Sequence, residues 1–181
     1  WADLLKPAAK GQVALPSPLY SGAAAIHMAA LQAALGPAYY KDLAANGAIA
    51  MKGNGGIITA VASGQAMYGF VVDFMALNAE AKGSPVRFVF PSEGVSAVTE
   101  PVAALAGSKN PQAARAFIAF ILSPAGQALA VSQGYLPVRD DVAPPKGFPP
   151  LADVHLLPID VPAAIAADAA NKKAFSSLFG G

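Results

Sequence analysis

Short apolar strand candidates alternate with helical stretches along most of this chain, and that alternation narrows its fold more than any other feature. The strand Gln12–Leu15 ends in the turn-rich run Pro16–Gly22, and the pattern predicts a helix from Ala23 to Leu35, stopped by Gly36-Pro37. A second helix, Tyr39–Ala45, closes at Asn46-Gly47, a pair suited to a left-handed cap. A strand over Ala48–Met51 then leads through the loop Lys52-Gly53-Asn54-Gly55-Gly56 into a helix over Ile57–Ala62. Met67–Val72 reads as a buried strand and Asp73–Lys82 as a helix, with further strands over Val86–Phe90 and Pro101–Leu105. Asn110-Pro111 and Ser123-Pro124 are each an N-cap followed by a proline at the first helical position. The first of these helices carries Phe117, Ile118 and Ile121 on one face, and Gly134 closes the second. Residues 137–162 are proline-rich and aperiodic, and a last helix runs from Pro162 to Leu178. Strands alternating with helices make an α/β domain whose sheet is mostly parallel and flanked by helices.

Composition excludes several classes. The 181 residues are 55% hydrophobic and only 13% charged, the opposite of a disordered chain. A net charge of +1, with its twelve Lys and Arg scattered, lacks the concentrated basic surface that nucleic acid demands. No run of about 18 apolar residues passes without Gly, Pro or a polar interruption, so no membrane span is expected. The absence of cysteine removes disulfides, Cys-ligated zinc and a thiol nucleophile. The chain opens on Trp1 and reads as part of a longer protein.

The catalytic inventory is thin. His27 and His155 are the only histidines, and neither lies near an obvious nucleophile. There is no G-x-S-x-G, Walker A, G-x-G-x-x-G or H-E-x-x-H sequence, and no enzyme is expected. His27, among alanines in mid-helix, reads as a structural histidine.

Two loops suggest anion binding instead. Ser21, ahead of Gly22 and Ala23, can cap a helix while the amides that follow point out of its positive end as an anion site; the plainer reading of this feature alone is an ordinary cap. Asn54 and Gly55, in the glycine-rich loop, can bring backbone amides close to a ligand or simply make a turn. Asp73 stands at the carboxyl end of an apolar strand, where open α/β sheets bind ligands, and is either a helix cap or a ligand acceptor. Glu93 follows the next strand candidate in the same manner and is a ligand acceptor or a solvated loop residue.

Taken in order, Trp1–Pro7, Lys10–Ala14, Pro16–Ala24, Gly53-Asn54-Gly55, Ala62–Gln65, Asn110–Phe117, Gly126-Gln127 and Gly134–Arg139 form a pattern. It resembles the second half of periplasmic solute-binding proteins of the ferric-ion type. The resemblance implies a two-lobed, type II binding-protein fold that delivers a ligand to the permease of an ATP-driven importer. It implies that residues 1–98 are the second lobe, 99–139 a returning segment of the first, and 140–181 a C-terminal segment packing back on the second. Most of the first lobe would lie outside this chain, supplied by a missing segment or another copy.

The same resemblance places the anion-binding turn on Ser21, Gly22 and Ala23 and the loop asparagine on Asn54. Where ferric binders carry adjacent tyrosines, this sequence has Val72-Asp73-Phe74-Met75, which offers no phenolate. The expectation is therefore a small anionic, phosphorylated organic ligand such as a sugar phosphate or phosphonate, with no metal and no cofactor, bound in the periplasm. The alternatives are ferric binding through a different ligand set and, in another class, a hydrolase or transferase acting on a phosphorylated substrate.

Overall fold

The central strand, β1 (Val13–Pro16), is buried along its whole length. In the computed structural model, which describes residues 1–149 and 153–180, it organises the first of two units: 1–98 with 154–181, and 99–153. The middle of the proline-rich connection, residues 150–152, and Gly181 lie outside the described residues.

In the first unit, two short 3-10 turns (Ala2–Leu5 and Pro7–Ala9) precede β1, and α1 (Gly22–Leu35) and α2 (Tyr39–Ala45) follow it. Then come β2 (Ile49–Met51), α3 (Asn54–Ala62), β3 (Tyr68–Gly69) and α4 (Asp73–Ala81). The strands pair in the order β2-β1-β3, all parallel. Val13 and Leu15 point to one face, where Met28, Leu31, Leu43, Tyr40 and Phe175 close the main core. Ala14 points to the other, onto Ile57 and Ala60 of α3. This period-two division of one strand between two helical layers explains its unbroken burial. The long α7 (Val161–Phe179) returns across the α1 and α2 side, capped at its start by Asp160, whose Oδ1 accepts the Ala163 N–H at 3.0 Å.

The second unit holds α5 (Pro111–Ile121) and α6 (Pro124–Ser132). Both start as the cap–proline pairs require: Asn110 Oδ1 accepts from Ala113 N–H at 3.0 Å, and Ser123 Oγ from Gly126 N–H at 3.1 Å. The buried amide of Gln127 ties their junction, donating to the Ile121 carbonyl at 2.9 Å and accepting from Val138 N–H at 2.7 Å.

Several expected elements differ. Only Tyr68–Gly69 of the expected strand Met67–Val72 joins the sheet, and Met67 and Tyr68 are exposed, because β3 is an edge strand opposite only Val13 and Ala14. Val86–Phe90 and Pro101–Leu105 form no strand; no partner strand lies beside them among the described residues. Helix α3 starts at Asn54 rather than Ile57, since packing of Ile57 and Ala60 on the sheet outweighs the poor helix propensity of Gly55 and Gly56. The apolar face of α5 exists but is not covered: the helix buries no residue, and Phe117 is 59% exposed.

Among the described residues no single helix is long and apolar enough to cross a membrane; α5 and α6 reach that composition only as a pair bent by 65°.

Candidate functional site

A parallel strand followed by a helix directs the helix N-terminus to the carboxyl edge of the sheet. Here α1, α3 and α4 follow β1, β2 and β3 in this way, so three helix N-termini share one edge. Strand order reverses at β1: the chain leaves it toward β2 and returns on its other side as β3. Open sheets of this kind bind ligands at such a reversal.

The helix starts differ electrically. Ser21 is the N-cap of α1, its Oγ accepting the Ala24 N–H at 3.2 Å, and the Gly22 and Ala23 amides keep no partner among the described residues. Asn54 opens α3 behind Gly53, with no side-chain cap, and its carboxamide is likewise unpartnered. Neither helix has an acidic residue in its first turn, so both positive ends stand uncompensated. A Cβ placed on Gly22, Gly53 or Gly55 would meet nothing within 4 Å, so the space around these residues is open.

At α4 the compensation is internal. Asp73 is its first residue, and its Oδ1 accepts the Phe74 N–H at 2.7 Å. Burial pushes the Asp73 carboxyl above the usual range, while the backbone hydrogen bonds oppose that shift.

Glu93 is engaged within the chain. Its Oε1 accepts from the Trp1 main-chain nitrogen at 2.7 Å and from the Ala2 N–H at 3.0 Å. The first of these bonds, with the second, holds its carboxyl down at about 2. The structure thus gathers Ser21, Gly22, Ala23, Asn54, Gly55 and Asp73 at the strand ends, while Glu93 ties down the start of the chain.

Two groups beside this edge carried too little sequence signal to be singled out. Lys52 sits directly before the glycine-rich loop, its ammonium 5.2 Å from the centre of the Tyr20 ring. A lone cation abutting a glycine-rich turn was the available hint. With Ser17, Ala50, Met51 and Phe179, these two side chains line an open cavity of about 190 Å³ on the β2 side of β1.

His27 is structural, as its setting among alanines suggested. Its Nδ1 lies 2.8 Å from Ser96 Oγ, and its ring packs against Trp1 and Phe70 at 5.0 and 5.5 Å. Its Nε2 is buried without a partner.

Residues 1–136 match the bacterial extracellular solute-binding protein family, and the chain belongs to that family. The members of that family are typically non-enzymatic. Among solved structures it is similar to one described as "Two-component system protein mediate signal transduction", with a TM-score of 0.68 and 22% identity. The match covers 87% of this chain and 55% of that one, so this chain spans little more than half its length; at such identity the likeness is one of fold. No curated protein matches the chain.

Proposed function

We propose that this chain is the second-lobe portion of the solute-binding component of an ABC importer, working in the periplasm on a small anionic, phosphorylated organic ligand. The observation that carries this reading is the pair of positive helix ends, α1 and α3, opening at adjacent strand ends with no acid in either first turn and, among the described residues, with the Gly22 and Ala23 amides of α1 unpartnered and no side-chain cap on α3. Such ends attract anions without any catalytic group. Ser21, Gly22, Ala23, Asn54 and Gly55 hold the phosphate. Asp73 faces the ligand's other end, where hydroxyl or ammonium groups donate to it, because two anions in one cleft repel.

Ferric coordination is less well supported. Tyr39 and Tyr40 are buried in the core, and burial pushes both phenols above their ordinary range, which disfavours these two as phenolate ligands.

In this reading residues 1–98 and 140–181 belong to the second lobe and 99–139 return from the first. The bare apolar residues Phe117, Phe120 and Leu129 on α5 and α6 are the surface that a missing first-lobe segment or another copy covers. The permease of the importer is the other partner.

Calorimetric titration with glucose 6-phosphate and with glucose tests the reading. Ser21→Ala and Asn54→Ala are each expected to weaken the phosphorylated sugar by about ten- to a hundredfold, the worth of one charge-assisted hydrogen bond, and to spare glucose. Equal losses for both sugars defeat the assignment of these loops to phosphate.

A further inference from the structure

The cavity beside β2 bears on the chemical class of the solute. Its position is built by the backbone: Ser17 N–H donates to the Met51 carbonyl at 2.8 Å, joining the ends of β1 and β2. A tight turn follows, with Tyr20 N–H on the Ser17 carbonyl at 3.2 Å and Leu19 N–H on Ser17 Oγ at 3.3 Å. That turn holds the Tyr20 ring out of the core, 59% exposed, as one wall of the cavity. Met51 and Phe179 supply further apolar walls, and Lys52 stands with them.

Lys52 has no carboxylate partner among the described residues. A ring face steadies its ammonium and leaves the charge unneutralised, since a quadrupole attracts a cation without cancelling it. The site therefore joins a cation without a carboxylate partner among the described residues to an open cavity of about 190 Å³ walled in part by Tyr20, Met51 and Phe179. For comparison, an apolar cavity of about 150 Å³ accepts one benzene ring.

Resting on the anion-binding reading above, we infer that the solute carries a flat apolar group of about one ring next to its anionic group. The ring lies between Tyr20, Met51 and Phe179, and the anion meets Lys52. A fully polar sugar would leave these walls without a use, whereas a ring-bearing phosphate or phosphonate occupies both halves of the site.

The test is titration of the 181-residue chain, followed by backbone NMR shifts, with phenyl phosphate, methyl phosphate and inorganic phosphate. Phenyl phosphate is expected to bind about tenfold more tightly than methyl phosphate, the return for partial burial of a ring. Its largest shifts should fall on residues 17–20 and 50–52. Tyr20→Ala should bring phenyl phosphate down to the affinity of methyl phosphate. Lys52→Gln should weaken both esters alike. Thermal unfolding of both variants at the wild-type temperature keeps the comparison clear of folding effects, both side chains being exposed. If methyl and phenyl phosphate bind equally, the ring pocket is overturned and the anion site stands. If neither ester nor phosphate binds, the anion reading falls, and this inference falls with it.

Discussion

Ala14 of β1 and Gly69 of β3 are register partners in the parallel sheet, and together they offer α3 a surface bearing a single methyl group. A Cβ on Gly69 would run into Ile57 Cγ2 and lie 3.0 Å from Val61 Cγ2. Both opposing groups belong to β-branched side chains, stiff at χ1, that cannot swing aside cheaply. The close seat of α3, and with it the position of the Asn54 amide at the carboxyl edge, depends on this small pair.

Gly69→Ala should therefore destabilise the chain by about 1–3 kcal/mol, the usual cost of overpacking, and Gly69→Val by more. Urea unfolding measures it. An unchanged midpoint would mean that α3 shifts outward freely.

Phe175 is the fully buried side chain through which α7 closes the main core, its ring 6.3 Å from Tyr40 and 4.6 Å from Phe179. Phe175→Ala should cost about 3–5 kcal/mol, with the cavity it leaves adding to the lost transfer energy. The exposed Phe117→Ala, on α5, should change stability by less than about 0.5 kcal/mol.

Burial of the imidazole lowers His27 from the ordinary 6.5 to about 4. The unfolded chain thus takes up a proton at a higher pH than the folded one. Stability should be flat above about pH 7, fall as pH drops from 6.5 toward 4, and level off below, for a total on the order of 3 kcal/mol. Glu93, held at about 2, stays ionised over most of that window, and the stability it contributes is lost only as pH falls from 4.5 through about 2. His27→Gln should remove the upper phase. Unfolding free energies between pH 4 and 8 would sink the prediction if wild type and variant run parallel.

Ser21 has two roles that substitution can separate. Ser21→Ala removes the Oγ that accepts the Ala24 N–H and should cost about 1 kcal/mol of stability, while Ser21→Gly should cost only a few tenths. Both lose the hydroxyl. Similar loss of phosphate-ester affinity in the two variants, at unequal stability, would assign the effect to the hydroxyl; losses that track stability would assign it to the cap.

Much of the helical framework could be read along the chain because its signals are local. Asn110-Pro111, Ser123-Pro124 and Ser21 each satisfy a first-turn amide from within a few residues, and all three helices begin there in the structure. The strands were harder. Val86–Phe90 has the composition of a strand, but a strand exists only when a neighbour completes its hydrogen bonds, and composition does not say whether one lies alongside.

The candidate site divides along the same line. Ser21, Asn54 and Asp73 could be picked out because strand-to-helix junctions with polar residues are visible in one dimension. That the Asp73 carboxylate takes up the Phe74 N–H inside the first turn of α4, that Glu93 is spent on the Trp1 nitrogen, and that Lys52 rests over Tyr20 could not, since the last two join residues far apart in sequence.

By itself, then, the sequence determined the alternation of strand and helix, the caps and the parallel sense of the sheet, all consequences of short-range periodicity and turn chemistry. Only the tertiary structure decided which strands pair, which apolar faces are covered, and which polar groups at the strand ends remain free for a ligand. Those depend on which distant segments are brought into contact, and burial and partnering are properties of the contact rather than of either segment.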